Sequence, residues 1–262
     1  MKFRPQWRIR KPADDSQTVY LSEKFGVRSL HIGSDTIQSS MRLARPYDLE
    51  LAYTRSMMAF LLFLPEPHDV LMVGLGGGSV AKFMHHHMPE VRIHAIELNP
   101  EVVSLAQHCF KVPVNDERLQ VTIGDGAEFM SRPGPHPDVV MVDGYDGESQ
   151  AEALTERKFY QACHARLARR GIMVVNLWSG DRQFMDALGR IREAFPNGQL
   201  CLPAEKPGNV IVFGFRNPPG PVGWQELEAR ADALTSKYAL EFGRFVEGLR
   251  KMNEHDEQGL VW

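Results

Sequence analysis

Four carboxylates stand where apolar runs give way to turns: Glu97, Asp125, Asp143 and Asp146. Glu97 closes the run 91–96, about 20 residues beyond a glycine loop, where an acid can accept hydrogen bonds from both ribose hydroxyls of an adenosine ligand. Asp125 follows the run 119–123 in Gly124-Asp125-Gly126-Ala127, a place from which it can take an adenine amino group. Asp143 and Asp146 follow the run 138–142. One such acid reads equally well as a helix cap. Acids at three strand ends in succession point instead to the ligand crevice of an open α/β sheet.

The loop is Gly74-Leu75-Gly76-Gly77-Gly78-Ser79, entered from the apolar run 70–73 and left by a helical pattern over 80–88. Glycines at 74, 76 and 78 allow a tight turn and a close approach of backbone to ligand. A pyrophosphate site keeps its third glycine late, as G-x-G-x-x-G. Here the glycines are compact and Ser79 stands at the late position, so S-adenosylmethionine or a relative fits better than NAD.

The elements that must hold these residues follow from the pattern around them. Residues 18–38 alternate in a β texture, with turns at Phe25-Gly26 and Gly33-Ser34, and predict a small antiparallel hairpin or a meander of about three strands. An apolar stripe predicts a helix over 47–64. From Asp69 onward strands alternate with helices, which argues for a mostly parallel sheet. Asn99-Pro100-Glu101 starts a helix over 99–110 with a cap and a first-turn proline. Helices over 159–169 and 181–195 flank a strand at 171–176, strands near 199–202 and 210–215 close the sheet, and two amphipathic helices fill 224–249. The expected division is an arm and small β region over 1–46, with residues 1–14 as a loose arm, followed by a nucleoside-binding catalytic domain over 47–262.

Composition agrees with a globular enzyme. The 262 residues are 43% hydrophobic and 24% charged, with a net charge of −3 that gives no footprint for nucleic acid or an anionic membrane. Cys109, Cys163 and Cys201 are scattered without metal spacing and read as buried thiols of a reducing cytoplasm. No apolar leader follows the basic start, and the longest apolar stretch, 57–65, is too short to span a bilayer. His85-His86-His87 sit about 100° apart on a helix and cannot share one ion. Met57-Met58 reads as core, and Cys163-His164 lacks a partner carboxylate. No metal site is expected.

These motifs resemble the spermidine synthase (polyamine aminopropyltransferase) family over about residues 15–215. The resemblance rests on Gln17, Ile37-Gln38 and Tyr47 near the start, the glycine loop, Glu97, Asp125-Gly126, the Asp143-x-x-Asp146 pair and the Glu156-Arg157-Lys158-Phe159-Tyr160 helix. It implies a Rossmann-like class I S-adenosylmethionine-dependent transferase fold with a small N-terminal β region, acting as a cytoplasmic homodimer. It implies no permanently bound cofactor and decarboxylated S-adenosylmethionine (or S-adenosylmethionine) as co-substrate, held by Gln17, Gln38, Gly74, Gly76, Gly78, Glu97, Asp125 and Gly126. The acceptor it implies is a di- or polyamine such as putrescine. Asp143 would take its proton, with Asp146 and Tyr47 positioning the amine and Tyr145 as a further hydroxyl.

The departures fall in the substrate half. The family carries an Asp where Gly77 stands, a proline where Gly147 stands, and a Tyr-His-Glu signature reduced here to Tyr47-Asp48-Leu49. Its late tyrosine is missing from Ala204-Glu205-Lys206-Pro207-Gly208. Two other functions stay open at this point: methyl transfer from S-adenosylmethionine on the same fold, and a non-catalytic nucleoside-binding module.

Overall fold

A computed structural model describes residues 18–146, 149–204 and 208–262. The expected arm and Gln17 lie outside the described residues, as do Gly147 and residues 205–207. Strands β1 (Val19–Lys24), β2 (Val27–Ile32) and β3 (Ile37–Arg42) form the antiparallel meander anticipated from the alternation. Phe25 and Gly26 turn the first hairpin with φ of 53° and 74°, the left-handed pair that a two-residue hairpin turn requires. The buried face of this sheet (Val19, Leu30, Met41) packs on Val102 and Phe110 of the larger body.

The expected helix over 47–64 is shorter in the structure. It comprises α1 (Ala52–Met57), continued by a 3₁₀ turn at Met58–Leu62. The reason lies in Arg55, whose Nη1 donates to the carbonyls of Leu49 (3.2 Å) and Glu50 (2.9 Å). Arg42 also grips the Glu50 carboxylate through two nitrogens. These bonds hold the 49–51 segment extended, and residues 47–48 lie in a turn ahead of the helix.

Strand–helix alternation then begins with β4 (Asp69–Val73), α2 (Ser79–His87), β5 (Arg92–Glu97), α3 (Pro100–Cys109), β6 (Leu119–Ile123), α4 (Gly126–Ser131) and β7 (Val139–Val142). Two-residue strands β8 (Tyr145–Asp146) and β9 (Ser149–Gln150) make a small hairpin before α5 (Arg157–Arg166), β10 (Ile172–Trp178) and α6 (Phe184–Ala194). The chain continues through β11 (Gln199–Pro203), β12 (Asn209–Phe215), α7 (Trp224–Tyr238) and α8 (Phe242–Met252). The large sheet runs β11-β12-β10-β7-β4-β5-β6, parallel from β10 to β6 and antiparallel on either side of β12.

Both faces of this sheet are covered, so its central strands are continuously apolar rather than alternating. Val70, Met72 and Val174 join one core with α7 and α8, while Leu71, Val73 and Val175 join another with α5 and α6. In α8, Phe242, Phe245, Val246 and Leu249 form the buried stripe at helical spacing. The order reverses at β4, whose neighbours are β5 on one side and β7 on the other. Open sheets of this kind leave their ligand crevice at that reversal, outside the carboxyl ends of the strands.

One buried charge sits beside the crevice. Lys82 on α2 is only 1% exposed, and its Nζ donates to the Phe110 carbonyl at 2.8 Å. Burial lowers its pKa to about 7. The unfolded chain therefore holds more protons than the folded one between about pH 7 and the ordinary lysine value, and stability rises with pH across that window. Raising the pH from about 7.5 to about 9.5 should add roughly 2 kcal/mol from this group. Lys82→Met should remove that increment from urea melts at the two pH values; an unchanged slope would show that Lys82 is not buried as a neutral amine.

Candidate functional site

The carboxyl ends of the central strands meet through backbone contacts. The Gly74 amide donates to Ile96 O, the Asp143 amide to Val73 O and the Gly124 amide to Glu97 O, each at 2.9 Å. These bonds bring Gly74, Glu97, Asp125 and Asp143 around one cavity of about 900 Å³. Gly74 has φ of +96°, and a Cβ there would sit 2.2 Å from the Asp143 carbonyl oxygen. Only glycine allows both the turn and the approach.

The nucleoside-side acids are already oriented by the fold. Glu97 Oε2 accepts the Leu75 amide at 2.9 Å and the Gly76 amide at 3.4 Å, while Oε1 accepts the Asn99 amide at 3.0 Å. Oε1 accepts a single amide and keeps a second lone pair, so the carboxylate can brace the glycine loop and still face a ligand. Asp125 caps α4 through the Glu128 amide at 2.9 Å and lines the cavity as well. The cap and the site are the same residue. Gln38, Gly76 and Gly126 line the cavity too; Gly78 does not, and packs against Val112.

Asp143 lies between this region and the ends of β10 and β12. Asn176 Nδ2 donates to its Oδ1 at 2.9 Å, and Asn209 Nδ2 donates in turn to Asn176 Oδ1 at 2.9 Å. The Tyr53 hydroxyl donates to the Gln38 carbonyl at 3.1 Å and also stands within hydrogen-bonding reach of the Asp143 carboxylate. Burial raises the Asp143 pKa, partly offset by the hydrogen bonds from Asn176 and Tyr53, with the Glu97 charge adding to the rise. Burial also drives the Tyr53 pKa well above its ordinary value, reinforced by the Asp143 charge. Tyr145 lines the cavity and donates to the Asn176 carbonyl at 3.1 Å.

The structure does not bring Tyr47 into this group. Its ring stacks on His86, centroids 4.2 Å apart, and it is absent from the cavity wall. Tyr53, six residues later and on α1, stands at Asp143 instead. The side chain of Asp146 lies outside the described structure. Sequence reasoning passed over Tyr53, Asn176 and Asn209. An amide inside the apolar run Ile172–Trp178 was the available signal for Asn176, since a buried amide requires polar partners. His85 bonds Asp116 and His86 stacks on Tyr47, while His87 packs on Phe83 and edge-on against His86. Cys163 is buried and its thiol pKa is pushed up by burial; Cys109 and Cys201 are only half-buried. Among the described residues no cluster of three His, Cys, Asp or Glu could hold a metal.

The corner beside Gly77 is neutral and full. A Cβ on Gly77 would lie 2.6 Å from Ser39 Oγ, 2.9 Å from Ser39 Cβ and 3.0 Å from Phe110 Cδ1. Ser39 Oγ in turn is 3.2 Å from Ser79 Oγ, and both serines are buried.

A mostly parallel sheet with acids at successive carboxyl ends around one cavity defines a Rossmann-like nucleoside-binding transferase. The model of the spermine/spermidine synthase domain matches residues 50–202, and the chain belongs to that family. It is 38% identical over 247 residues to a polyamine aminopropyltransferase of Chromobacterium violaceum, covering 94% of this chain and 95% of the relative. A probable spermidine synthase from Corynebacterium glutamicum shares the fold at 19% identity, with a TM-score of 0.71 over 93% of this chain and 95% of that one. Human methyltransferase-like protein 13 in complex with SAH aligns at 27% identity and a TM-score of 0.65, over 72% of this chain and 93% of that one.

The packing at Gly77 gives a direct test. Gly77→Asp should cost about 1–3 kcal/mol of stability through overpacking, and Ser39→Gly in the same chain should recover part of it. Thermal or urea melts of the two single variants and the double variant measure the coupling; additive losses would mean that Ser39 does not occupy that space.

Proposed function

We propose that the protein transfers an aminopropyl group from decarboxylated S-adenosylmethionine to a di- or polyamine such as putrescine. The observation that carries this reading is the half-buried Asp143 carboxylate on the cavity wall, held by Asn176 and beside Tyr53, with the nucleoside-side acids to one side. Glu97 takes the ribose hydroxyls, while Asp125 and Gly126 take the adenine. Gln38, Gly74 and Gly76 shape the wall around the donor. Full-length likeness to a polyamine aminopropyltransferase supports the assignment.

The acceptor arrives as an ammonium ion and has to lose a proton before its nitrogen can attack. Asp143 accepts that proton, and its raised pKa makes it a stronger base than an exposed aspartate. The freed amine attacks the CH₂ beside the sulfonium. The new N–C bond forms as the C–S bond breaks, and its electron pair stays on sulfur. Methylthioadenosine leaves neutral, and the positive charge moves to the secondary ammonium of the product. Catalysis here is largely a matter of aligning nitrogen, carbon and sulfur. Tyr53 takes the positioning role that the sequence resemblance gave to Tyr47, and Asp146 is assigned to the amine on sequence alone.

A second reading, methyl transfer from S-adenosylmethionine, is favoured by one observation. The corner at Gly77, Ser39 and Ser79 carries no acid to hold a donor ammonium. The paired acids Asp143 and Asp146 weigh toward the amine acceptor.

Two variants separate the halves of the site. Asp143→Asn should lower turnover with diamines by about 10²–10⁴-fold while leaving methylthioadenosine affinity nearly intact, because an amide cannot take the proton. Glu97→Gln should weaken every adenosine ligand by roughly 1.5–3 kcal/mol, the scale for a hydrogen bond to a charged group. Steady-state assays and calorimetry read the two effects. Full activity in Asp143→Asn, or unchanged nucleoside affinity in Glu97→Gln, would overturn the respective role.

A further inference from the structure

The cavity continues past Asp143 along the carboxyl end of β10 and the amino end of β12, where Asn176, Trp178, Gly180, Asp181 and Asn209 line it. Glu97 and Trp178 end strands three steps apart in the sheet, β5 and β10, with β4 and β7 between them. At about 4.8 Å per strand that is roughly 14 Å, so this end is beyond the residues assigned to the nucleoside.

Trp178 closes β10 and is 42% exposed as a residue. The ring is seated on backbone. A Cβ on Gly208 would lie 2.0 Å from the indole Cζ3, and one on Gly180 would lie 2.5 Å from Nε1. The Ser179 amide donates to the Gly208 carbonyl at 2.6 Å, which clips the two loops together beneath the ring. An aromatic plate held this way presents its ring to the cavity without spending side-chain freedom on binding.

Asp181 stands one turn further on. The Gln183 amide donates to its Oδ1 at 2.8 Å, which sets the carboxylate and leaves Oδ2 without that constraint. Its charge reaches Tyr145, whose phenol is held protonated first by burial, then by Asp143 and Asp181. Arg182 beside it is exposed at the rim, where water and salt screen its charge.

We propose that Trp178 and Asp181 form the clamp for the distal end of the acceptor. A diamine keeps one charged ammonium after the other has given its proton to Asp143. That remaining cation has to exchange water for other partners. The indole face offers its π-electrons and an apolar surface for the methylene chain, and the Asp181 carboxylate offers a charged acceptor. The inference rests on the aminopropyl-transfer reading and names the residues that would set acceptor length and charge within it.

The test uses the full chain. Trp178→Leu should raise KM for putrescine by roughly tenfold, the fold-change expected for one desolvated cation–π contact, with a smaller change in kcat and methylthioadenosine affinity unchanged. Trp178→Phe should recover most of the loss. Gly208→Ala, which displaces the indole, and Asp181→Asn should shift KM in the same direction as Trp178→Leu. Thermal melts identify any variant that has lost its fold, and the Trp178→Phe comparison then stands in its place. An unchanged KM in Trp178→Leu, or a KM rise matched by an equal loss of methylthioadenosine affinity, overturns the clamp. Tryptophan fluorescence with methylthioadenosine bound supplies a readout independent of turnover. Putrescine should change the emission of the parent protein and leave that of Trp178→Phe unaltered. If the parent protein transfers no aminopropyl group but shows this signal, the transfer reading fails and the amine clamp stands; absence of the signal removes the clamp itself.

Discussion

The amides of Gly74 and Asp143 are joined to neighbouring strands by one hydrogen bond each, and the two residues touch where no β-carbon could fit. A Cβ on Gly74 would lie 2.2 Å from the Asp143 carbonyl oxygen. With the Asp143 amide on the Val73 carbonyl, this contact fixes where β7 ends relative to β4. It therefore sets the distance between the residue proposed to move a proton and the loop proposed to hold the nucleoside. Glu97 is tied to the same loop through the Leu75 and Gly76 amides, so a shift of Gly74 would move both halves of the site. The rest of the sheet, apolar on both faces, supplies the rigidity that such a contact needs.

Much of the parallel core was legible because its signals are local. The runs ending at Glu97, Asp125 and Asp143 announce both the strands and the acids that terminate them, and β6 (Leu119–Ile123) matches its expected bounds. The meander was equally readable from its alternation and its Phe25-Gly26 turn. The helix over 47–64 was not. Its first residues are held extended by Arg55 and Arg42, and a propensity argument contains no information about such bonds. That same displacement put Tyr47 on His86 and Tyr53 at Asp143. Asn176 and Asn209 belong to strands distant in sequence from Asp143, so their chain of amides exists only once β10 and β12 are paired.

The altered half of the site has its own internal logic. Where the sequence resemblance implied an acid, this chain has Gly77, and Ser39 occupies the space against it. The buried pair Ser39–Ser79 puts no acid in that corner, and the carboxylates of the cavity are those of Glu97, Asp125, Asp143 and Asp181. The acids therefore face both halves of the cavity, and only the Gly77 corner lacks one. That is the physical basis on which aminopropyl and methyl transfer compete as readings of one cavity.

Mass spectrometry of the products decides between them most directly. The protein would be incubated with isotopically labelled putrescine and an equimolar mixture of decarboxylated S-adenosylmethionine and S-adenosylmethionine. Aminopropyl transfer predicts labelled spermidine together with methylthioadenosine in equal amount. Methylated amine with S-adenosylhomocysteine, or unchanged diamine beside intact donors, would contradict it.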